Sequence, residues 1–274
     1  MKYTKIDINI ETPHKAPYFL GSTLRGAFGY ALKKVVCINP SYKCEGCFAS
    51  SSCLYYEFYE AQNSYHTYRF TSELGDGRFD FSLYLFEESC EKLPYIVSAL
   101  HKMLTEVGLM RDALKFDLFT MSIADKLIYS DGEFHLDAIK PQSFTPMLTS
   151  DSYDVTLELS TPLRIKRHNR FLRDDIDIVD ILRSIHQREQ QLCHGKSYSK
   201  LEYTPSYTTV SKQLHYKTLI RKSNRQKSKM NMDGIMGQLT LTNLDPTSYR
   251  LLKLGEILGV GKQTVMGLGS IRLT

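Results

Sequence analysis

The chain of 274 residues contains no tryptophan, and no apolar run approaches the roughly twenty residues that a membrane-spanning helix requires. Its opening residues, Met1-Lys-Tyr-Thr-Lys, lead into a strand pattern and lack the apolar segment of a secretory signal. The cytoplasm is therefore the expected location, with no membrane partner. Cysteine is scarce, with six residues, and in a reducing compartment these do not read as a disulfide framework. A dominant charge sign is lacking too. Thirty-five Lys and Arg oppose thirty Asp and Glu, and the net +5 gives only a weak whole-molecule field. What the composition does hold, 42% hydrophobic and 24% charged residues, suits a globular protein of two domains.

Charge is distributed more tellingly than its total suggests. From Lys212 to Lys229 there are seven Lys or Arg and no acid, including Arg221, Lys222 and Arg225, with Tyr216 among them. Cations that clamp phosphates beside an aromatic ring that stacks on bases suit RNA; a solvated loop is the alternative. A second basic knot, Arg164-Ile-Lys-Arg-His-Asn-Arg170, places Arg164 and Lys166 on one face of a strand end, followed by Arg167 and His168.

Glycine is concentrated at the end of the chain, where Gly259, Gly261, Gly267 and Gly269 frame Lys262. Left-handed backbone and exposed N–H groups would let such a loop face phosphates. A nucleotide P-loop is excluded, because Glu256 stands where that template needs glycine, Gln263 where it needs Ser or Thr, and a strand follows instead of a helix.

Periodicity gives the order strand, helix, two strands, helix, strand, and then repeats it. In the first half, Ile6, Ile8 and Ile10 alternate as a strand, and Leu24, Phe28, Ala31 and Leu32 recur at helical spacing behind Ser22 as N-cap. Phe79 to Leu85 reads as a strand, with a partner near Tyr65 to Phe70 across Gly75 and Gly77. Pro94 opens a second helix that Gly108 ends, and strands near Leu127 to Tyr129 and Phe134 to Ala138 complete the half. In the second half, Val155, Leu157 and Leu159 alternate, Ile178 to Ile185 is helical, Tyr203 to Leu241 is strand-rich, Tyr249 to Ile257 is helical, and a last strand follows the glycines. Two split β-α-β units in tandem make an α+β chain of two ferredoxin-like (RRM-like) domains, expected at residues 1–146 and 147–274.

Cys37-x6-Cys44-x2-Cys47-x5-Cys53 gathers four thiols within an insertion at residues 37–53 of the first domain. Tetrahedral structural zinc is the expected ligand, with an iron–sulfur cluster or four unbound thiols as alternatives.

The terminal glycine loop, Arg221-Lys-Ser-Asn-Arg-Gln226, Met232-Asp-Gly-Ile-Met-Gly237 and Leu24-Arg-Gly-Ala-Phe-Gly-Tyr-Ala-Leu32 followed by the cysteines resemble, in that order, motifs of the CRISPR-associated RAMP endoribonuclease that processes precursor crRNA. The resemblance runs from about residue 20 to the end. It implies binding of CRISPR repeat RNA, with crRNA and other CRISPR-associated effector or adaptation proteins as partners. It also implies one cut per repeat by metal-independent attack of a 2′-hydroxyl. RNA contacts are expected from Arg25, Arg164, Lys166, Arg167, Arg221, Lys222, Arg225 and Lys262 with Gly259, Gly261, Gly267 and Gly269. The family carries its acid–base groups on or near the first helix, which makes His14, Tyr30 and Lys34 candidates, and His168 is a fourth. Tyr30 and Gly259 stand where the family pattern has histidine, so a non-catalytic crRNA-binding RAMP subunit is the alternative.

Overall fold

Alternating burial along Lys2–Ile10 (β1), with Ile6, Ile8 and Ile10 inward, sets the face on which the first half of the chain packs. The computed structural model describes residues 1–62, 65–136, 139–223 and 228–274. They form two units, 1–143 and 144–274, each with its own sheet and core.

In the first unit β1 is followed by α1 (Gly21–Val36), α2 (Leu54–Tyr59), β2 (Tyr68–Thr71), β3 (Phe81–Phe86), α3 (Leu93–Lys102), β4 (Phe119–Ile123), β5 (Lys126–Ser130), β6 (Glu133–Phe134) and β7 (Gln142–Ser143). The antiparallel sheet runs β2-β3-β1-β4-β5-β6, and β7 pairs with the start of β1. Its core takes Leu24, Phe28 and Leu32 from α1 and Ile96, Val97 and Leu100 from α3. Each such buried side chain contributes about 1.5–3 kcal/mol.

Two local expectations are corrected. The strand that pairs with β1 after the second helix is β4, where Phe119, Met121 and Ile123 alternate inward; the strands expected near 127 and 134 extend the sheet beyond it as β5 and β6. Helix α1 starts at Gly21 with Leu20 as N-cap and no side-chain cap, so Ser22 lies inside the first turn.

The second unit contains β8 (Tyr153–Leu163), a short hairpin of β9 (Lys166–Arg167) and β10 (Arg170–Phe171), α4 (Ile178–His194), β11 (Thr208–Lys217), a hairpin of β12 (Ile220–Ser223) and β13 (Ser228–Asn231), β14 (Gly234–Leu244), α5 (Pro246–Leu258) and β15 (Ile271–Leu273). Its sheet order is β11-β14-β8-β15, all antiparallel. Relative to the strand–helix–strand–strand–helix–strand order of each unit, both sheets place the second strand beside the third, the third beside the first, and the first beside the fourth. Asp177 caps α4 by accepting from Val179 N at 2.9 Å, and left-handed Gly195 ends it. Asp245 caps α5 in the same way through Ser248 N.

The cysteine insertion does not form the expected metal centre. Among the described residues no group of three or more His, Cys, Asp or Glu is arranged to hold a metal ion. Cys37, Cys47 and Cys53 line a hollow of about 370 Å³ with apolar neighbours including Val35, Ile38 and Leu54. Cys44 instead accepts a hydrogen bond from Lys33 Nζ at 3.3 Å, and Cys37 Sγ donates to the Asn39 carbonyl at 3.7 Å. The fourth thiol is thus engaged by a cation, and the tetrathiolate set at Cys37, Cys44, Cys47 and Cys53 is not assembled.

Candidate nucleic-acid interface

One end of the second unit's sheet collects three separate segments. The last residues of β8 run into Arg164 and the β9–β10 hairpin, β11 runs into the β12–β13 hairpin, and α5 runs into the glycine-rich loop. Asp233, just before β14, ties two of them together. Its carbonyl accepts from Arg164 Nη1 at 2.7 Å, its carboxylate accepts from Leu219 N at 2.8 Å, and Met232 N closes the turn by donating to the Leu219 carbonyl. Buried Leu219 and Met232 anchor the base of the hairpin. The loop joins through a parallel bridge of Gly261 with Arg164 and a bond from Lys262 N to the Arg164 carbonyl at 2.9 Å.

The glycines do not do what the sequence suggests. Loop N–H groups that could face a phosphate are turned inward: Gly259 N to Gly255 O, Val260 N to Gly269 O, Gly261 N to Ser184 Oγ, Gly267 N to Thr264 O and Gly269 N to Pro162 O. Val260, Val265, Met266 and Leu268 are buried. A Cβ on Gly269 would lie 1.8 Å from the Val260 carbonyl, and one on Gly261 2.5 Å from that of Arg164. These positions, with φ of +68° and +81°, are glycine because backbone packs on backbone there. Gly259 (φ +70°, ψ 163°) and Gly267 (φ +82°) end α5 and the short 3₁₀ turn after it. Lys262 remains exposed, as the loop's cation.

Around this end the cations sit against rings. The Arg164 guanidinium lies 4.5 Å from the Phe171 ring centre, Lys166 Nζ lies 5.1 Å from the same ring, and the Arg173 guanidinium lies 5.7 Å from that of Tyr216. Arg164 is 7% exposed, and its burial lowers its pKa, with Asp233 and Tyr216 acting against the shift. Among the described residues its Nε has no hydrogen-bond partner. Arg167 pairs with Asp180, while His168 and Asn169 occupy the exposed left-handed turn of the β9–β10 hairpin. Arg221 and Lys222 lie on β12, and Arg225 falls outside the described residues. Sequence reasoning thus found Arg164, Lys166, Arg167, His168, Gly261 and Lys262, which the structure brings to this end, and missed Phe171 and Arg173. The signal for these two was present five and seven residues after Lys166, in a hairpin announced by His168-Asn169.

In the first unit the candidates divide. Arg25 packs its guanidinium 4.7 Å from the Tyr59 ring centre, and Tyr59 donates to the Arg25 carbonyl at 2.7 Å. Gly29 leaves room for that ring, since a Cβ there would come within 2.6 Å of it. Burial holds the Tyr59 phenol well above its ordinary pKa. Arg25 and Gly29 of the Leu-Arg-Gly-Ala motif therefore seat α2 against α1. Tyr30 and Lys34 are exposed on α1 one turn apart, with Lys34 Nζ 4.9 Å from the Tyr30 ring centre. His14 is exposed in the connection before α1. Among the described residues no hydrogen bond or ring contact joins it to Tyr30 or Lys34.

Comparison with known proteins covers both units. A family model described as an N-terminal domain matches residues 1–143, and one described as CRISPR-associated endoribonuclease Cas6 matches residues 157–271. An uncharacterized protein of Archaeoglobus fulgidus is 25% identical over 303 aligned positions, covering 100% of this chain and 98% of that one. A solved Cas6 product complex shares the fold with a TM-score of 0.60 at 15% identity, over 100% of this chain and 99% of the other. Thermus thermophilus Cas6 gives 0.55 at 14% identity, over 100% and 98%. The first model covers more than half of the chain, which therefore belongs to the family that model describes, and residues 157–271 are similar to the Cas6 endoribonuclease family.

Proposed function

We propose that this protein is a precursor-crRNA-processing endoribonuclease, built from two ferredoxin-like domains, that binds CRISPR repeat RNA and cuts it once per repeat. The observation that carries the reading is the convergence of Arg164, Lys166, Arg173 and Lys262 with two half-exposed rings at one end of the second unit. Cations and rings together match a strand that offers phosphates and unpaired bases. Arg221, Lys222 and Arg225 are assigned to RNA contacts from the basic run of the sequence.

The chemistry follows from the side chains at hand. Attack by the 2′-oxygen on the adjacent phosphorus breaks the bond to the 5′-oxygen, leaving a 2′,3′-cyclic phosphate and a 5′-hydroxyl. A base must take the 2′-proton, a cation must stabilise the phosphorane, and an acid must protonate the leaving oxygen. His14, Tyr30, Lys34 and His168 are the groups assigned to these roles, with Lys34 and Tyr30 held together on α1. In excess EDTA the ordinary repeat is expected to be cut, and a repeat with a single 2′-deoxy at the cleaved linkage to bind but stay intact. Cleavage of the deoxy repeat would overturn the mechanism.

A second reading, a crRNA-binding subunit without nuclease activity, is favoured by one observation. Gly259 adopts φ +70° and ψ 163°, a conformation that excludes the family's histidine without strain. Tight repeat binding with no cleavage of either RNA would decide for it. A solved Cas6-RT-Cas1–Cas2 complex includes a chain of which this one covers 46%, at 14% identity and a TM-score of 0.55. Other CRISPR-associated proteins are partners by that analogy.

A further inference from the structure

The β9–β10 hairpin carries a ring in an unusual position for a small two-stranded element. Phe171 faces Lys166 directly across the hairpin, with Arg164 two residues earlier on the same face. The Arg164 guanidinium lies against the ring, yet 37% of Phe171 remains open, and the same fraction of Tyr216 is open beside Arg173. Neither ring belongs to the hydrophobic core of the unit. Arg164, by contrast, is more than nine-tenths buried, fixed by its bond to the Asp233 carbonyl, and retains a buried Nε with no hydrogen-bond partner among the described residues.

A single half-exposed ring is ordinary on a protein surface, but here two rings lie at one end of one sheet, each beside a guanidinium. A peptide partner would bring acidic groups to match the cations, but it would not need two rings each paired with a guanidinium. Flat π-systems joined by anionic linkers match both features at once, because a base stacks on the ring while its phosphates meet Lys166, Arg173 and Lys262. We infer that Phe171 and Tyr216 form a base-stacking platform for an unpaired stretch of RNA, with Arg164 as the positioning residue that holds Phe171 flat. This deepens the reading of the protein as an RNA-binding one and rests on it. The occupant is a single strand, since a duplex hides the faces of its bases.

The test separates base stacking from phosphate binding. The full chain is titrated with a short single-stranded oligoadenylate and with an abasic ribose-phosphate oligomer of the same length and charge. The wild type should prefer the oligomer that has bases. Phe171→Ala should lose about tenfold in affinity for oligoadenylate, as should Tyr216→Ala, with binding of the abasic oligomer and the salt dependence unchanged. Phe171→Trp should retain affinity, and Phe171→Leu, which keeps bulk without the π-face, should behave as Phe171→Ala, with unchanged thermal melting showing that the hairpin is intact. Fluorescence of 2-aminopurine within the strand should be quenched by the wild type and recover in Phe171→Ala. If the wild type binds both oligomers equally, or if Phe171→Ala keeps the preference, the platform is overturned while RNA binding stands. If the wild type binds neither these oligomers nor repeat RNA, the broader reading falls as well.

Discussion

A glycine with positive φ reads the same in a sequence whether it makes room for a ligand or for a neighbouring backbone. At Gly269 the structure decides for the second, since a Cβ would meet the Val260 carbonyl at 1.8 Å. Gly195 also has positive φ, +62°, but nothing lies within 4 Å of its Cβ position. Gly195→Ala should therefore cost about 1 kcal/mol from backbone conformation alone, and Gly269→Ala several times that, seen as a small against a large fall in melting temperature. Equal losses would mean the loop yields easily. His101 offers a second test. It packs at 5.1 Å from the Tyr129 ring and 5.3 Å from that of Phe134, and burial lowers its pKa from 6.5, against the pull of Glu106. The folded state thus takes up this proton at lower pH than the unfolded chain. Its contribution to stability is complete above about pH 6.5 and is lost as pH falls through the lowered folded value. Melting temperature should drop over that window in the wild type and drop less in His101→Phe; identical pH profiles would remove His101 from the account.

At the scale of elements, Asp233 is the joint between a hairpin and a sheet. Replacing it by Ala deprives Leu219 N of its acceptor, a loss of about 1–2 kcal/mol confined to the neighbourhood. Hydrogen exchange should accelerate in residues 219–223 and 228–232 and remain as it was in α4, and affinity for RNA should fall with it. Uniform acceleration would show that the joint supports the whole unit. Elements with strong periodicity were legible in the sequence: α1, α3, α4, β1 and β8 each carry apolar residues at the spacing of their own structure. The pairing of β4 with β1 was not read from the sequence, although 119–123 alternates apolar and polar, because the continuous apolar run at 127–129 offers a second strand and pairing is settled by distant partners. The cysteines misled for a related reason. Spacing reports which thiols share a loop, but not that Lys33, on the preceding helix, would engage Cys44. Of the interface, the cations were legible as charge runs, whereas Phe171 gained meaning only through the register that sets it opposite Lys166.

At the scale of the molecule, the two units each close their own sheet around their own core. Residues 144–274 produced alone should melt cooperatively and keep affinity for RNA, as circular dichroism and titration would show; an unfolded fragment would mean its core depends on the first unit. In the full chain, Arg221→Ala/Arg225→Ala should weaken repeat binding and flatten its salt dependence, since each lost phosphate contact removes a released counterion. An unchanged slope would leave the β12–β13 hairpin outside the interface. The inward-turned glycine loop also bears on the order of events in folding. Thr161 Oγ1 bonds to the Gly267 carbonyl across 106 residues, Gly269 N to the Pro162 carbonyl, and β15 pairs with β8. Such distant contacts are slow to form, and they come after the local hairpins and helices. A nascent chain halted before residue 259 can bond Arg164 to Asp233 but lacks the Gly261 bridge and the Lys262 bond to Arg164, so this end of the sheet closes only once the last sixteen residues are in place.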